Sequence, residues 1–169
     1  MDYNTIIMGI GSELVKLFIG LVLTLFSVYY GVKFFDSLTR NIEEWKEIKK
    51  GNLAVGLMFS AVVLSIAILT APGIFILVSA LNFGSSTPLV VFGIGILTYI
   101  VTFLISLFSV YISVRLLDAM DMQEVDKIAA LKKGNVAMGV FVAAVIISIS
   151  LVMVFLEISS LLSIFPIVG

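Results

Sequence analysis

The sequence predicts an all-α integral membrane protein: four transmembrane helices forming two parallel-repeat hairpins, with short amphipathic interfacial helices at the cytoplasmic bends. Three observations predict it. The 169 residues are 61% hydrophobic and 12% charged, whereas soluble domains run near half apolar and a quarter charged. At a mean hydropathy of +1.24, a soluble fold of this size would leave large apolar patches in water, so lipid is the expected solvent. Four uncharged stretches, residues 17–32, 53–81, 89–114 and 136–156, match the requirement for about 20 apolar residues per crossing once their flanks are included. Finally, the chain repeats itself at a spacing of 82 to 83 residues.

The first span reaches upstream to Glu13 and Lys16. It does not read as a cleaved signal, because Asp2 and Glu13 stand where a basic region belongs and no small-residue cleavage site follows. Tyr29, Tyr30 and Lys33 follow instead, as interface anchors do. In 37–50, Leu38, Ile42, Trp45 and Ile48 recur at helical spacing among Arg40, Glu43, Lys46 and Glu47, the pattern of a helix lying on the membrane. Asn41 with Glu44 forms a candidate capping pair. The second span carries Pro72-Gly73 as an interruption. An uncharged connection, 81–88, leads to the third span, and a second bend over 115–133 has a weaker stripe of Met122, Val125 and Ile128, with Asp121 and Glu124 as its capping pair. The fourth span ends at Glu157. The runs are far too long for a β-barrel, whose alternating strands need only about 10 residues. The expected division is 1–80 for the first hairpin, 81–88 for the outer loop and 89–169 for the second hairpin.

Orientation follows from the cations. Of ten Lys and Arg, five lie in 33–50 and four in 115–133. Short basic loops stay in the cytoplasm, which places both bends inside and both termini outside a cell (inner) membrane. Lys49, Lys50, Lys132 and Lys133 are then candidates for anionic lipid headgroups. With no His and no Cys, Ser-His and Cys-His nucleophiles and thiolate zinc sites are excluded. A net charge of −1 gives no reason to expect nucleic acid. No cofactor, metal or enzymatic activity is expected.

Residues 25–33, Leu-Phe-Ser-Val-Tyr-Tyr-Gly-Val-Lys, recur at 107–115 as Leu-Phe-Ser-Val-Tyr-Ile-Ser-Val-Arg, and Asp36 recurs as Asp118. Lys-Lys-Gly-Asn-Leu-Ala-Val-Gly at 49–56 recurs at 132–139 as Lys-Lys-Gly-Asn-Val-Ala-Met-Gly. Unrelated membrane helices share Leu and Val easily, but not Lys-Lys-Gly-Asn at a matched place. Two spans per unit make the copies parallel, and a pseudo-twofold axis along the membrane normal is expected. Gly51 and Gly134 suit the C′ position of the interfacial helices, and Asn52 and Asn135 the N-cap of the following spans.

With Lys50-Gly51-Asn52-Leu53-Ala54 and Lys133-Gly134-Asn135-Val136-Ala137, the chain resembles the bacterial and archaeal inner-membrane family called domain of unknown function 350, the YjfL-like proteins. The resemblance covers nearly the whole chain. It implies a four-span tandem membrane protein and brings no activity or catalytic residue with it.

Two polar stripes occupy corresponding places. Glu13, Lys16, Gly20, Thr24, Ser27 and Gly31 fall on one face of the first span, and Gly95, Thr98, Thr102, Ser106, Ser109 and Ser113 on one face of the third. Small and hydroxylated residues let membrane helices approach closely, so spans one and three are expected to pack together; the functional alternative makes the stripes walls of a polar path. Gly56/Ser60 and Gly139/Ala143 read as further packing stripes. Counting about 20 residues from the inner boundary puts Glu13, Lys16 and Glu157 at the outer interface; if the apolar belt lies further out, they become intramembrane charges of the sort that mark ion or proton paths. Asp36 and Asp118, one turn beyond Lys33 and Arg115, suggest local ion pairs or a cation-attracting vestibule, and two carboxylates are too few to argue a metal. The expected function is an oligomeric conduit for ions or small solutes, ahead of a non-transporting structural or regulatory protein that binds lipids or partner subunits through its cytoplasmic helices.

Overall fold

Long apolar runs in lipid must satisfy every backbone N–H and C=O internally, and a helix does so within a single segment. The structure, a computed structural model, describes residues 3–39, 43–81, 88–120 and 127–164. It comprises α1 (Tyr3–Leu38), α2 (Glu44–Lys49), α3 (Leu53–Ser79), α4 (Pro88–Ala119), α5 (Lys127–Lys132) and α6 (Val136–Ile164), with no strand among the described residues. Four are long and apolar enough to cross a membrane, over Ile7–Leu38, Leu53–Ser79, Leu89–Ala119 and Val136–Leu161. The 36 residues of α1 span about 54 Å, well beyond a hydrocarbon core of about 30 Å. Pro72 lies inside α3, which continues through it.

The turns after α2 and α5 share one geometry. Gly51 and Gly134 take φ +80° and +78°, which glycine adopts without Cβ strain. Gly51 N–H donates to Ile48 and Asn52 N–H to Glu47; Gly134 donates to Leu131 and Asn135 to Ala130. This is the Schellman pattern. Each Asn then opens the next helix, Asn52 Oδ1 accepting from Val55 N–H and Asn135 Oδ1 from Met138 N–H.

The interfacial segment is shorter than its hydrophobic spacing predicts. Leu38 closes α1, and α2 covers only Glu44–Lys49. Its N-cap is Glu43, without a side-chain cap. Arg40, Asn41 and Ile42, residues 82–87 of the connection 81–88, and Asp121, Met122, Glu124 and Val125 lie outside the described residues. Trp45 rests edge-on against Phe59 of α3, with ring centroids 5.1 Å apart.

α3 is the centre of the bundle. Its buried face includes Ala54, Val55, Met58, Val62, Ile66 and Leu69. In lipid such contacts hold by van der Waals fit rather than by expulsion of water. A Cβ on Gly31 of α1 would stand 2.4 Å from Ile66 Cδ1, one on Gly95 of α4 would stand 2.9 Å from Leu77 Cα, and one on Gly139 of α6 would stand 2.7 Å from Ala54 Cα.

Three packing expectations are corrected by these contacts. First, α1 and α4 are not each other's main partners: they meet where Ser27 Oγ and Tyr99 Oη hydrogen-bond at 3.0 Å, while Gly20, Gly31, Gly95 and Thr102 lie against α3. Second, Gly56 has nothing within 4 Å of a Cβ and Ser60 is exposed, so only the Gly139 stripe packs. Third, the contacts between the halves are not those of a twofold. Asn52 donates to the Leu131 and Lys132 carbonyls at 2.9 and 3.3 Å, whereas Asn135 is exposed; likewise Gly139 meets Ala54 while Gly56 stands open.

Candidate functional site

The two hydroxyl stripes are turned inward. Ser27, Thr102, Ser106, Ser109 and Ser113 are all at most 1% exposed, and Thr24 is half-buried. A hydroxyl inside an apolar helix bundle satisfies itself on a carbonyl one turn back. Thr24 donates to Gly20 and Ser27 to Leu23, both at 2.8 Å. Thr102 donates to Tyr99, Ser106 to Phe103 and Ser113 to Ser109, at 3.0, 2.7 and 2.8 Å. Ser109 Oγ is buried without a partner. These side chains lie in helix contacts, and Thr102 also lines a groove between α4 and α6.

The charged candidates separate by depth. Gly20 lies beside Ile74 and Val78, so Glu13, seven residues and about 10 Å further along α1, stands past the end of α3. Glu13 pairs with Lys16 at 2.8 Å, with the Glu13 side chain 66% exposed. Glu157 is different. Placed by its spacing at the outer interface, it is only 8% exposed, and neither carboxylate oxygen has a hydrogen-bond partner. The reason is its neighbours: Glu157 lines a groove of about 430 Å³ between α4 and α6, with Leu97, Thr98, Val101, Thr102 and Met153. Thr102 also meets Gly73 of α3, so the groove reaches inward past the last turn of that helix. Thr98 donates its hydroxyl hydrogen to Ile94 at 2.9 Å, and this leaves its oxygen lone pairs as acceptors.

At the opposite end of the bundle, the expected ion pairs of Lys33 with Asp36 and Arg115 with Asp118 do not form. Lys33 Nζ lies 5.0 Å from the centroid of the Tyr29 ring, and Arg115 lies over Tyr111 and donates from Nε to its hydroxyl at 3.2 Å. Four residues on a helix bring cation and ring onto one face, and the ring attracts the cation. Asp118 is exposed and lines a cavity of about 170 Å³ with Thr39, Phe35 and Lys127. Lys127 donates to the Leu117 and Met120 carbonyls and so closes the end of α4. Asp36 is half-buried and not part of that cavity. Among the described residues, no three acids gather as metal ligands would.

Sequence reasoning missed Glu44, taken only as a capping partner. It is 4% exposed, accepts from Thr39 Oγ1, and burial pushes its carboxyl above the usual range, with Asp36 adding repulsion. No local signal distinguishes it from Glu43 or Glu47. Glu47 is held below the usual range by hydrogen bonds from Lys50 and Asn52. Lys49, Lys132 and Lys133 are exposed, and Lys50 pairs with Glu47 at 2.6 Å.

Across this frame, from Gly9 on α1 to Leu156 just before the buried carboxylate, the sequence profile described as Domain of Unknown Function (DUF350) matches residues 9–156. The chain belongs to that family. The matched region holds both Gly-Asn turns and both hydroxyl stripes, and it stops one residue short of Glu157. No curated protein matches this chain, and no solved structure matches it.

Proposed function

We propose that this member of the family is an oligomeric conduit for small cations, protons included. It lies in a cell (inner) membrane with the bends 33–50 and 115–133 in the cytoplasm and both termini outside. One observation carries this reading: the Glu157 carboxylate, buried and unpartnered in a largely apolar groove between α4 and α6. A charge at such a place costs on the order of 3 kcal/mol on insertion scales, and it is kept where ions or protons pass. Glu157 would bind a cation or exchange it for a proton, and the Thr98 and Thr102 oxygens would supply neutral acceptors beside it. The groove is open on one side, so a wall from another subunit would complete the path. No catalysis is proposed.

The test is flux of K⁺, Na⁺ and H⁺ into liposomes carrying the purified protein. Glu157→Gln, nearly isosteric, should lower the conducted flux at least tenfold with protein content unchanged. Absence of any flux through the unaltered protein removes the conduit. Flux that survives the substitution removes Glu157 from it.

A second reading rests on the hydroxyl stripes, most of whose members donate to their own backbone carbonyls: a non-transporting protein that holds anionic lipid at Lys49, Lys50, Lys132 and Lys133. Replacing these four by Gln should then abolish preferential recovery with anionic lipid and leave any flux unchanged.

A further inference from the structure

The two halves of the chain join through unlike surfaces. On the first half, Asn52, Ala54 and Gly73 of α3 face the second; there they meet the carbonyls of Leu131 and Lys132, Gly139, and the Tyr99–Thr102 turn of α4. The sequence correspondence, 82 residues between α1 and α4 and 83 between α3 and α6, finds the counterpart of each. The counterparts of Asn52, Ala54 and Gly73 are Asn135, Ala137 and Leu156, all exposed along α6. Those of Gly139, Tyr99 and Thr102 are Gly56, Leu17 and Gly20. Nothing lies within 4 Å of a Cβ at Gly56, and Leu17 is 70% exposed. Gly20 is the exception, with Ile74 and Val78 of its own α3 within 4 Å; the surfaces around Gly56, Leu17, Asn135, Ala137 and Leu156 are left open in a single copy.

We propose that a second copy of this chain fills them: α6 of one copy docks along α1 and α3 of the next, repeating between copies the contact that joins α3 to α4 and α6 within one. Gly56 receives Ala137, Leu17 meets Leu156, and the Asn135 amide reaches the Ile48 and Lys49 carbonyls at the end of α2, as Asn52 reaches those at the end of α5. In lipid the close approach of small residues drives such association, and the amide bonds fix its register. The contact is head-to-tail, so each copy keeps one free surface of either kind, and the assembly grows until rotation closes it. Copies inserted in one orientation turn only about the membrane normal, and the closed form is a ring. This deepens the oligomeric part of the function proposed above; its test reads contact rather than flux, so the two fail separately.

The chain has no native cysteine among the described residues or elsewhere, so introduced thiols report alone. A Cβ on Gly73 would lie 2.9 Å from Tyr99 Cα, close enough that residues at the equivalent positions 156 and 17 of neighbouring copies fall within disulfide reach. In membranes, the double variant Leu17→Cys/Leu156→Cys should give an oxidant-dependent ladder of dimers and higher species. Either single variant alone should stay monomeric, and a mixture of the two should stop at dimers. Adding Gly56→Leu to the double variant should cut the cross-linked fraction at least tenfold. Because the added side chain stands in open space within one copy, the unfolding temperature in detergent should not fall. A single variant that cross-links to itself as strongly overturns the proposal, since the contact is then like-to-like. A disulfide formed within one chain overturns it, as does a double variant that stays monomeric because lipid covers both faces.

Discussion

α3 and α6 begin alike and end up in different surroundings. Both follow a Schellman turn at a left-handed glycine, and both are capped by an asparagine with an alanine two residues on. Yet 50% of the most apolar stretch of α3 is buried against 28% for α6. Asn52 reaches across to α5, while Asn135 serves only its own helix. Glycines at matched positions divide the same way, Gly139 against backbone and Gly56 against nothing. Local sequence decides how a helix starts; the neighbour that arrives decides what each residue contributes.

The sharpest way to break this comparison is to add the same methyl to both glycines. Gly139→Ala places a Cβ 2.7 Å from the Ala54 backbone and should cost about 1–3 kcal/mol, since backbone cannot swing aside. Gly56→Ala meets nothing and should gain up to about 1 kcal/mol from helix propensity. Unfolding in detergent by SDS titration reads both, and equal losses would mean that the sequence copies occupy equivalent places after all.

The asparagines should differ by less. Asn135→Ala removes a cap, worth about 1 kcal/mol. Asn52→Ala removes the same cap and the bonds to Glu47, Leu131 and Lys132, for about 2 kcal/mol in all. A loss no greater at Asn52 would show that the link between halves adds nothing.

The smallest effect separates two acids of α2 by pH. Burial raises the Glu44 carboxyl above the ordinary 4.5 in the folded protein, so its contribution is full below 4.5 and is lost as pH rises through the folded value. Glu47 is lowered from 4.5 by Lys50 and Asn52, so its contribution holds above 4.5 and is lost as pH falls through its folded value. In unfolding followed against pH, Glu44→Gln should flatten the first trend and Lys50→Gln the second. A pH profile unaltered by either substitution would place both side chains in bulk solvent.

The roles of Gly51, Asn52, Gly134 and Asn135 are legible in the sequence because a Schellman turn and an N-cap involve residues within six positions of one another. That of Glu157 is not, since its spacing marks an interface and only the groove between α4 and α6 withdraws it from one. Trp45 illustrates the same limit: its helical spacing with Leu38 and Ile48 is real, but Leu38 closes α1 and the indole leans on Phe59. The cations Lys33 and Arg115 found tyrosine rings four residues back rather than the aspartates three residues ahead, a choice between two neighbours that spacing alone leaves open.

Composition and apolar run length by themselves determined that this chain is helical and that four helices are long enough to cross a membrane, and the two Gly-Asn pairs determined where the helices after each bend begin. Lipid offers backbone groups no other partner, so run length converts directly into helices. Which small residues are used, which hydroxyls are buried and which carboxylate is left without a partner were decided only by the tertiary structure. Several faces carry Gly, Ser or Ala at the same spacing, and between helices in lipid the selection rests on the fit of one surface to another, which appears only once the helices have met.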